Sequence, residues 1–176
     1  MKITASVVGL PKIAKQVAEL KKLPSSSVVW RAVGRVLYRD SMNCFKNQCE
    51  PDGTPWTPLS PMTKWKRAYK RLAAYRSKLK KKKLLHSVKY KRFVGEMKIL
   101  EDTGKLRGSI STRTEQNAAV IGSSLHYARI HQLGGVNEDG RKVPARPYLG
   151  LSKKGEADIV FILQKYLQDV ADKGGK

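Results

Sequence analysis

Acid is what this sequence has least of for its size. Of 176 residues only 14 are Asp or Glu against 36 Lys or Arg, a formal net charge of +22. Cysteine is nearly missing too. Cys44 and Cys49 are the only pair, too few for a small secreted scaffold stapled by disulfides. On a helix their spacing would set them about 500° apart, off a shared face, so both are expected as reduced, part-buried thiols. No apolar run approaches the ~20 residues that a membrane-spanning helix needs. The opening MKITASVVGLPKIAKQ lacks the apolar stretch and cleavage site of a signal peptide. The expectation is one domain, residues 1–176, working in a reducing compartment and touching no membrane. With 40% apolar residues it has a core to bury, since chains of about 150 residues bury ~70% of their unfolded surface.

Missing chemistry narrows the function further. The densest cluster of reactive side chains is HYARIHQLGG, residues 126–135. A zinc-binding helix places two imidazoles four residues apart, on one face. Here His126 and His131 are five apart, with no acid in the stretch. The third histidine, His86, lies in a basic segment, and the cysteines lack C-x-x-C spacing. There is no G-x-S-x-G, and Ser123 and Ser124 stand near His126 without an orienting acid. No P-loop or G-x-G-x-x-G occurs. The acid clusters LEDTG and NEDG sit where turns and caps favour Asp and Glu. The expectation is a protein that is not an enzyme, with no catalytic residue, cofactor or metal.

Base is what the sequence has in excess. Lys64 to Lys98 holds fifteen Lys or Arg and one acid, Glu96, so this fifth of the chain carries +14 of the +22. Lys78, Lys80, Lys81, Lys82, Lys83, Lys89, Lys91 and Arg92 are the candidate contacts for DNA or an acidic partner. The competing reading is a solvated excursion that only aids solubility. Aromatics interleave with the bases in KWKRAYKRLAAYRSKLKKKK, which suits backbone contact with occasional stacking. No zinc finger, RNP signature or homeodomain phrase accompanies them, so such binding would be sequence-tolerant and steeply salt-dependent.

The periodicities outline an α+β chain. KITASVV reads as a short strand and PKIAKQVAELKKL as an amphipathic helix. VVWRAVGRVLYRDSMNCFKNQ is a long helix with Val29, Val33, Val36, Leu37 and Phe45 inward, and Arg31, Arg35, Arg39 and Lys46 outward. The proline-rich CEPDGTPWTPLSP is an ordered loop anchored by Trp56. A basic insertion follows at about 63–98, beginning with a helix whose spaced residues are Trp65, Tyr69 and Leu72. In ILEDTGKLRGSI, Asp102 and Thr103 are candidate caps for a short helix carrying Leu106. A hairpin pairs Ile110, Thr112 and Thr114 with Ala119 and Ile121. LHYARIHQL is a short helix stopped by Gly134 and Gly135, with Tyr127 and Ile130 inward and His131 and Gln132 as hydrogen-bonding structural groups. VNEDGRK is rich in turns, and VPARPYLGLS is extended. A terminal helix turns Ile159, Ile162, Leu163, Tyr166, Leu167 and Val170 to the core and frays at Gly174. The whole is a small antiparallel sheet packed against long helices at both ends.

Four phrases taken in order, PDGTPWTPLS (51–60), ILEDTGKLRGSI (99–110), YARIHQLGG (127–135) and VPARPYLGLS (143–152), resemble the phage virion morphogenesis family, the tail completion proteins of Mu-like and P2-like tailed phages. The residues that carry the resemblance are Pro51, Asp52, Gly53 and Trp56, then Thr103, Gly104 and Leu106. Tyr127, His131, Gln132, Gly134, Gly135, Pro144, Arg146 and Pro147 complete the set. The resemblance implies a structural virion protein at the neck or the head-proximal end of the tail, assembled in the host cytoplasm. It implies a hexameric ring of identical subunits. The partners expected on that basis are the head connector or adaptor, the tail terminator or tail tube, and double-stranded DNA passing through the lumen. Arg146 is expected to fix a loop or a neighbour. The alternative is a sequence-non-specific DNA-binding protein acting through its Lys/Arg-rich segment.

Overall fold

Helix α1 (Ser27–Asn47) is the spine against which the 110–123 hairpin and the helix over 153–174 pack. The computed structural model describes residues 27–76, 97–115 and 118–174. The KITASVV strand, the PKIAKQVAELKKL helix and the eight candidate contacts from Lys78 to Arg92 lie outside them. Along α1 the helical period sorts the side chains as the sequence implies: Val29, Val33, Val36, Leu37 and Phe45 are buried, and Arg31, Arg35 and Lys46 are exposed. Cys44 is also buried, Cys49 is half-buried, and no disulfide joins them. Burial raises the Cys44 thiol to about 12.

The chain leaves α1 through Gln48, whose φ of 58° lies in the left-handed region. That conformation costs a non-glycine residue roughly 1–2 kcal/mol. Its side chain offsets the cost by donating to Phe45 O at 2.7 Å and accepting from Ile99 N. The proline-rich loop follows. Asp52 Oδ1 accepts from Thr54 N at 2.8 Å, and Gly53 takes a φ of 95°. Trp56 is the expected anchor: 2% exposed, edge-on to Phe45, with its indole N–H donating to Pro147 O at 2.8 Å.

Helix α2 (Pro61–Arg76) opens with proline at its first position, where a missing N–H costs nothing. Ser60 Oγ accepts from Thr63 N at 3.2 Å. Here the structure corrects the sequence reading. Trp65 and Tyr69 are not on the covered face; they are 51% and 52% exposed and stack on each other. The buried residue is Ala68, with Lys64, Arg67 and Arg71 partly covered around it. A small side chain lets the helix approach closely, and the aliphatic stems of the basic residues supply the flanking contact.

Helix α3 (Lys105–Gly108) buries Leu106. Its expected caps do not cap it. Gly104, at φ 74°, occupies the N-cap. Asp102 pairs with Arg67, and Thr103 reaches Lys105 N only at 3.5 Å. Strands β1 (Ile110–Glu115) and β2 (Ala118–Ser123) form the predicted antiparallel hairpin, with Thr112 opposite Ile121. It lies directly on α1, where a Cβ on Gly34 would meet Thr112 Cβ at 3.6 Å.

Helix α4 (Ala128–Leu133) ends at Gly134 as read. The residue it turns inward is Ala128, 1% exposed, whereas Tyr127 and Ile130 are half-buried. The turn-rich VNEDGRK closes a ribbon the sequence reading lacked, β3 (Gly135–Val136) paired with β4 (Lys142–Val143). Helix α5 (Lys153–Gly174) buries Ile159 and Leu163 and packs Ile162 and Tyr166 against them. Leu167 is 38% exposed and Phe161 65%.

A polar tie joins α1 to α5. Asp40, 3% exposed, accepts from Ser152 N at 2.9 Å and Ser152 Oγ at 2.7 Å. Arg39, expected outward, is only half-exposed and bridges Asp40 to Asp158. Gly155 leaves room for this, since a Cβ there would fall 2.1 Å from Asp40 Oδ2. The architecture is α+β, two antiparallel ribbons among helices.

Candidate functional site

Four loops meet beside the first turns of α2 and enclose an open cleft of about 940 Å³. Each of the four sequence phrases contributes to its lining. Thr57 and Pro58 come from the first, Leu100, Asp102, Thr103, Lys105 and Leu106 from the second, Tyr127 and His131 from the third, and Val143, Pro144 and Arg146 from the fourth. Helix α2 adds Met62, Lys66 and Arg67. Of the motif residues, Thr103, Leu106, Tyr127, His131, Pro144 and Arg146 line the cleft. Pro51, Asp52, Gly53, Trp56, Gly104, Gln132, Gly134, Gly135 and Pro147 are not in its lining.

The motif residues behind the cleft hold the loops together. Gln132 is the hydrogen-bonding group the sequence suggested. Its Oε1 accepts from Tyr148 N at 3.0 Å and Leu149 N at 2.9 Å, and its Nε2 donates to Leu149 O at 2.9 Å. One side-chain amide thereby stands in for a strand partner along an extended segment that pairs with no strand among the described residues. Tyr148 is fully buried and donates its hydroxyl to Ala128 O at 3.2 Å. Gly134, at φ 70°, is crossed so closely that a Cβ would fall 2.8 Å from Ala145 N. Gly150 meets Pro51 in the same way, with a Cβ 2.5 Å from the proline Cγ.

Arg146 fixes a loop of its own chain. It is 6% exposed, and its Nε and Nη2 donate to Thr57 O and Pro58 O at 2.8 and 3.2 Å. A guanidinium fork suits two successive carbonyls, which an ammonium could not hold in one plane. The backbone N–H of Arg146 donates to His131 O at 2.8 Å.

His131 departs from its expected role. Its ring nitrogen Nδ1 is buried and makes no hydrogen bond among the described residues. The ring instead packs edge-to-face with Tyr127, centroids 5.9 Å apart. Burial, then the charges of Arg146 and Arg67, push its pKa below the usual histidine value. His126 is exposed.

The cleft is strongly basic. Lys66, Arg67, Lys105, Arg141, Lys142 and Arg146 line it, against the single carboxylate of Asp102. Asp102 stands 3.8 Å from Arg67 Nε, and Arg67 also donates to Lys98 O at 3.1 Å. Burial lowers the pKa of Arg67 and of Arg146, and Arg67 lowers that of Arg146 further. Leu100, on the cleft wall, holds a φ of 61°, a strained position for a branched side chain.

Sequence reasoning missed Arg67 and Asp40. Arg67 sits in a run of bases where nothing local sets it apart. Asp40 did carry a signal, as the one acid in a helix otherwise rich in arginine. Among the described residues no group of three or more His, Cys, Asp or Glu could hold a metal ion. No described helix is long and apolar enough to cross a membrane.

Comparison with known proteins places these features in a family. The model of the phage virion morphogenesis family matches residues 9–168. Mu-like prophage FluMu G protein 2 of Haemophilus influenzae is 46% identical over 71 residues, 39% of this chain and 51% of that protein. Protein G of Escherichia phage Mu, whose name assigns it provisionally to capsid assembly, is 46% identical over 70 residues, 38% of this chain and 45% of its own. The matched segment thus spans about half the length of these two relatives. Mu-like prophage FluMu G protein 1 of Haemophilus influenzae is 27% identical over 164 residues, 92% of each chain. No solved structure matches significantly. The ordered phrases interlock as one unit and the family match covers most of the chain: this protein belongs to the phage virion morphogenesis family.

Proposed function

We propose that this virion morphogenesis protein is a tail-completion subunit, a ring-forming structural protein that joins the tail to the head connector and lets DNA pass, and that it is not an enzyme. One observation carries the reading. The motif side chains Trp56, Gln132 and Arg146 are engaged with backbone carbonyls and amides of other loops. Such bonding holds a surface in one geometry, which a repeating subunit contact requires. Exposed apolar residues support it. Met62, Trp65 and Tyr69 lie on α2, while Leu133 ends α4 and Val136 lies in β3 just beyond it. Two unlike patches suit a head-to-tail contact, in which one face meets a different face of the next copy.

The test is the mass of the purified protein in solution at low and high salt, with and without a short DNA duplex. A discrete oligomer that persists without DNA at both salts is expected. A monomer that gains mass only with DNA, and loses it at high salt, overturns the reading. That result would favour the second one, a sequence-non-specific DNA-binding protein. Its own support is the exposed Trp65–Tyr69 stack beside Lys64, Lys66 and Lys70, an arrangement suited to backbone contact with stacking. Deleting residues 76–92 separates the two: DNA affinity collapses under the second reading, and assembly survives under the first.

A further inference from the structure

We propose that the basic cleft is a docking groove for an acidic, extended segment of a different protein in the assembly. Its shape and its charge both point there. The walls are two distinct elements, the first turns of α2 carrying Lys66 and the β3–β4 ribbon carrying Arg141 and Lys142, with Lys105 on a third side. All four of these side chains are exposed. The nearby acids Glu138 and Asp139 are not in the lining.

The occupant is not supplied by this chain's own undescribed segments. Residues 1–26 and 77–96 carry thirteen Lys or Arg, five and eight, against Glu19 and Glu96, the wrong sign for a basic groove. A second copy offers no acidic run longer than the pairs Glu101–Asp102 and Glu138–Asp139, and the latter is followed by Gly140, Arg141 and Lys142. About 940 Å³ is near the upper end of the roughly 300–1,000 Å³ of small-molecule pockets, enough for a few extended residues at about 3.4 Å each. Carboxylates on such a segment would meet Lys66 on one wall and Arg141 and Lys142 on the other. They would also relieve the mutual repulsion of Arg67 and Arg146 on the floor.

The proposal rests on the virion-subunit reading only in calling the partner another assembly protein, and its test does not depend on ring formation. Fluorescence anisotropy would follow a labelled peptide of alternating Glu and Ala, its Gln-for-Glu counterpart, and a labelled DNA duplex, each titrated with the full chain. The expected result is that the Glu peptide binds and the Gln peptide does not. Arg141→Glu with Lys142→Glu, and separately Lys66→Glu, should each weaken it by about tenfold or more. Neutralising Lys80 to Lys83 should leave it within about threefold. The reversals lie on separate elements and at exposed positions, so a matching loss from both, with unchanged melting, excludes unfolding of one wall as the cause. Three results overturn the proposal: no peptide binding, peptide affinity that follows the lysine run and ignores the cleft, or cleft reversals that weaken duplex binding and leave the peptide untouched.

Discussion

Trp56 and Trp65 stand nine positions apart and have opposite fates. Trp56, in a proline-rich loop, is 2% exposed and hydrogen-bonded to Pro147 O. Trp65, on a regular helix, is 51% exposed and stacks on its neighbour Tyr69. A place on a regular helix therefore does not by itself bury an aromatic side chain here. The first region is fixed by loops that close on one another around Phe45, Tyr148 and Trp56. The second presents an amphipathic surface whose covered side is an alanine. An apolar side chain on a loop must find a pocket or leave the loop without an anchor. One on a helix can stay outside because the helix satisfies its own backbone.

The largest effect expected is at the first tryptophan. Trp56→Ala should lower unfolding free energy by about 3–5 kcal/mol, read as a shift in urea midpoint, whereas a change below about 1 kcal/mol would show the loop is not anchored there. Next comes the amide that stands in for a strand. Gln132→Leu leaves Tyr148 N, Leu149 N and Leu149 O without their partner, at about 1–3 kcal/mol for each group left unsatisfied. Hydrogen exchange at residues 148 and 149 would localise the loss.

A pH effect should follow from His131. Its folded pKa is depressed, first by burial and then by Arg146 and Arg67, so the unfolded chain binds the proton more readily. The stability this histidine contributes is full above its unfolded pKa and is lost as pH falls through about 6.5 towards the lower folded value. Melting temperature should drop between neutral and mildly acidic pH, and His131→Leu should flatten that drop. An unchanged slope in the variant would place the proton elsewhere.

Trp65→Ala is the contrast that sharpens the comparison. At an exposed site its effect on stability should stay within about 0.5 kcal/mol, while self-association or DNA binding weakens. A loss of stability as large as that of Trp56→Ala would erase the distinction between the two regions. Smallest of all is the thiol effect. Burial raises both thiols, so at neutral pH alkylation should reach Cys49 slowly and Cys44 only on unfolding.

The long helices and the hairpin were legible because each repeats its pattern over several turns or pairs. Val29 to Phe45 show a helical period, and Ile110 to Ile121 an alternation. The stop at Gly134 was legible because a left-handed exit leaves so little choice of residue. The covered face of α2 was not legible. Trp65 and Tyr69 share a side by their spacing, but periodicity says which residues lie together and not which side meets the core. Asp102 illustrates the same limit at the cleft. By sequence it sits where a cap belongs, yet Arg67, distant along the chain, takes it as a partner.

By itself the sequence determined the charge of +22, the α+β class, the order of the four phrases and the family they resemble, since these depend on composition and on contacts between near neighbours. Only the tertiary structure decided that the four phrases surround one basic cleft, that Arg146 grips Thr57 and Pro58, and that Asp40 ties α1 to Ser152. Those contacts join residues roughly 90 to 110 positions apart. No local pattern encodes such a pairing, because it exists only once the chain has brought the loops together.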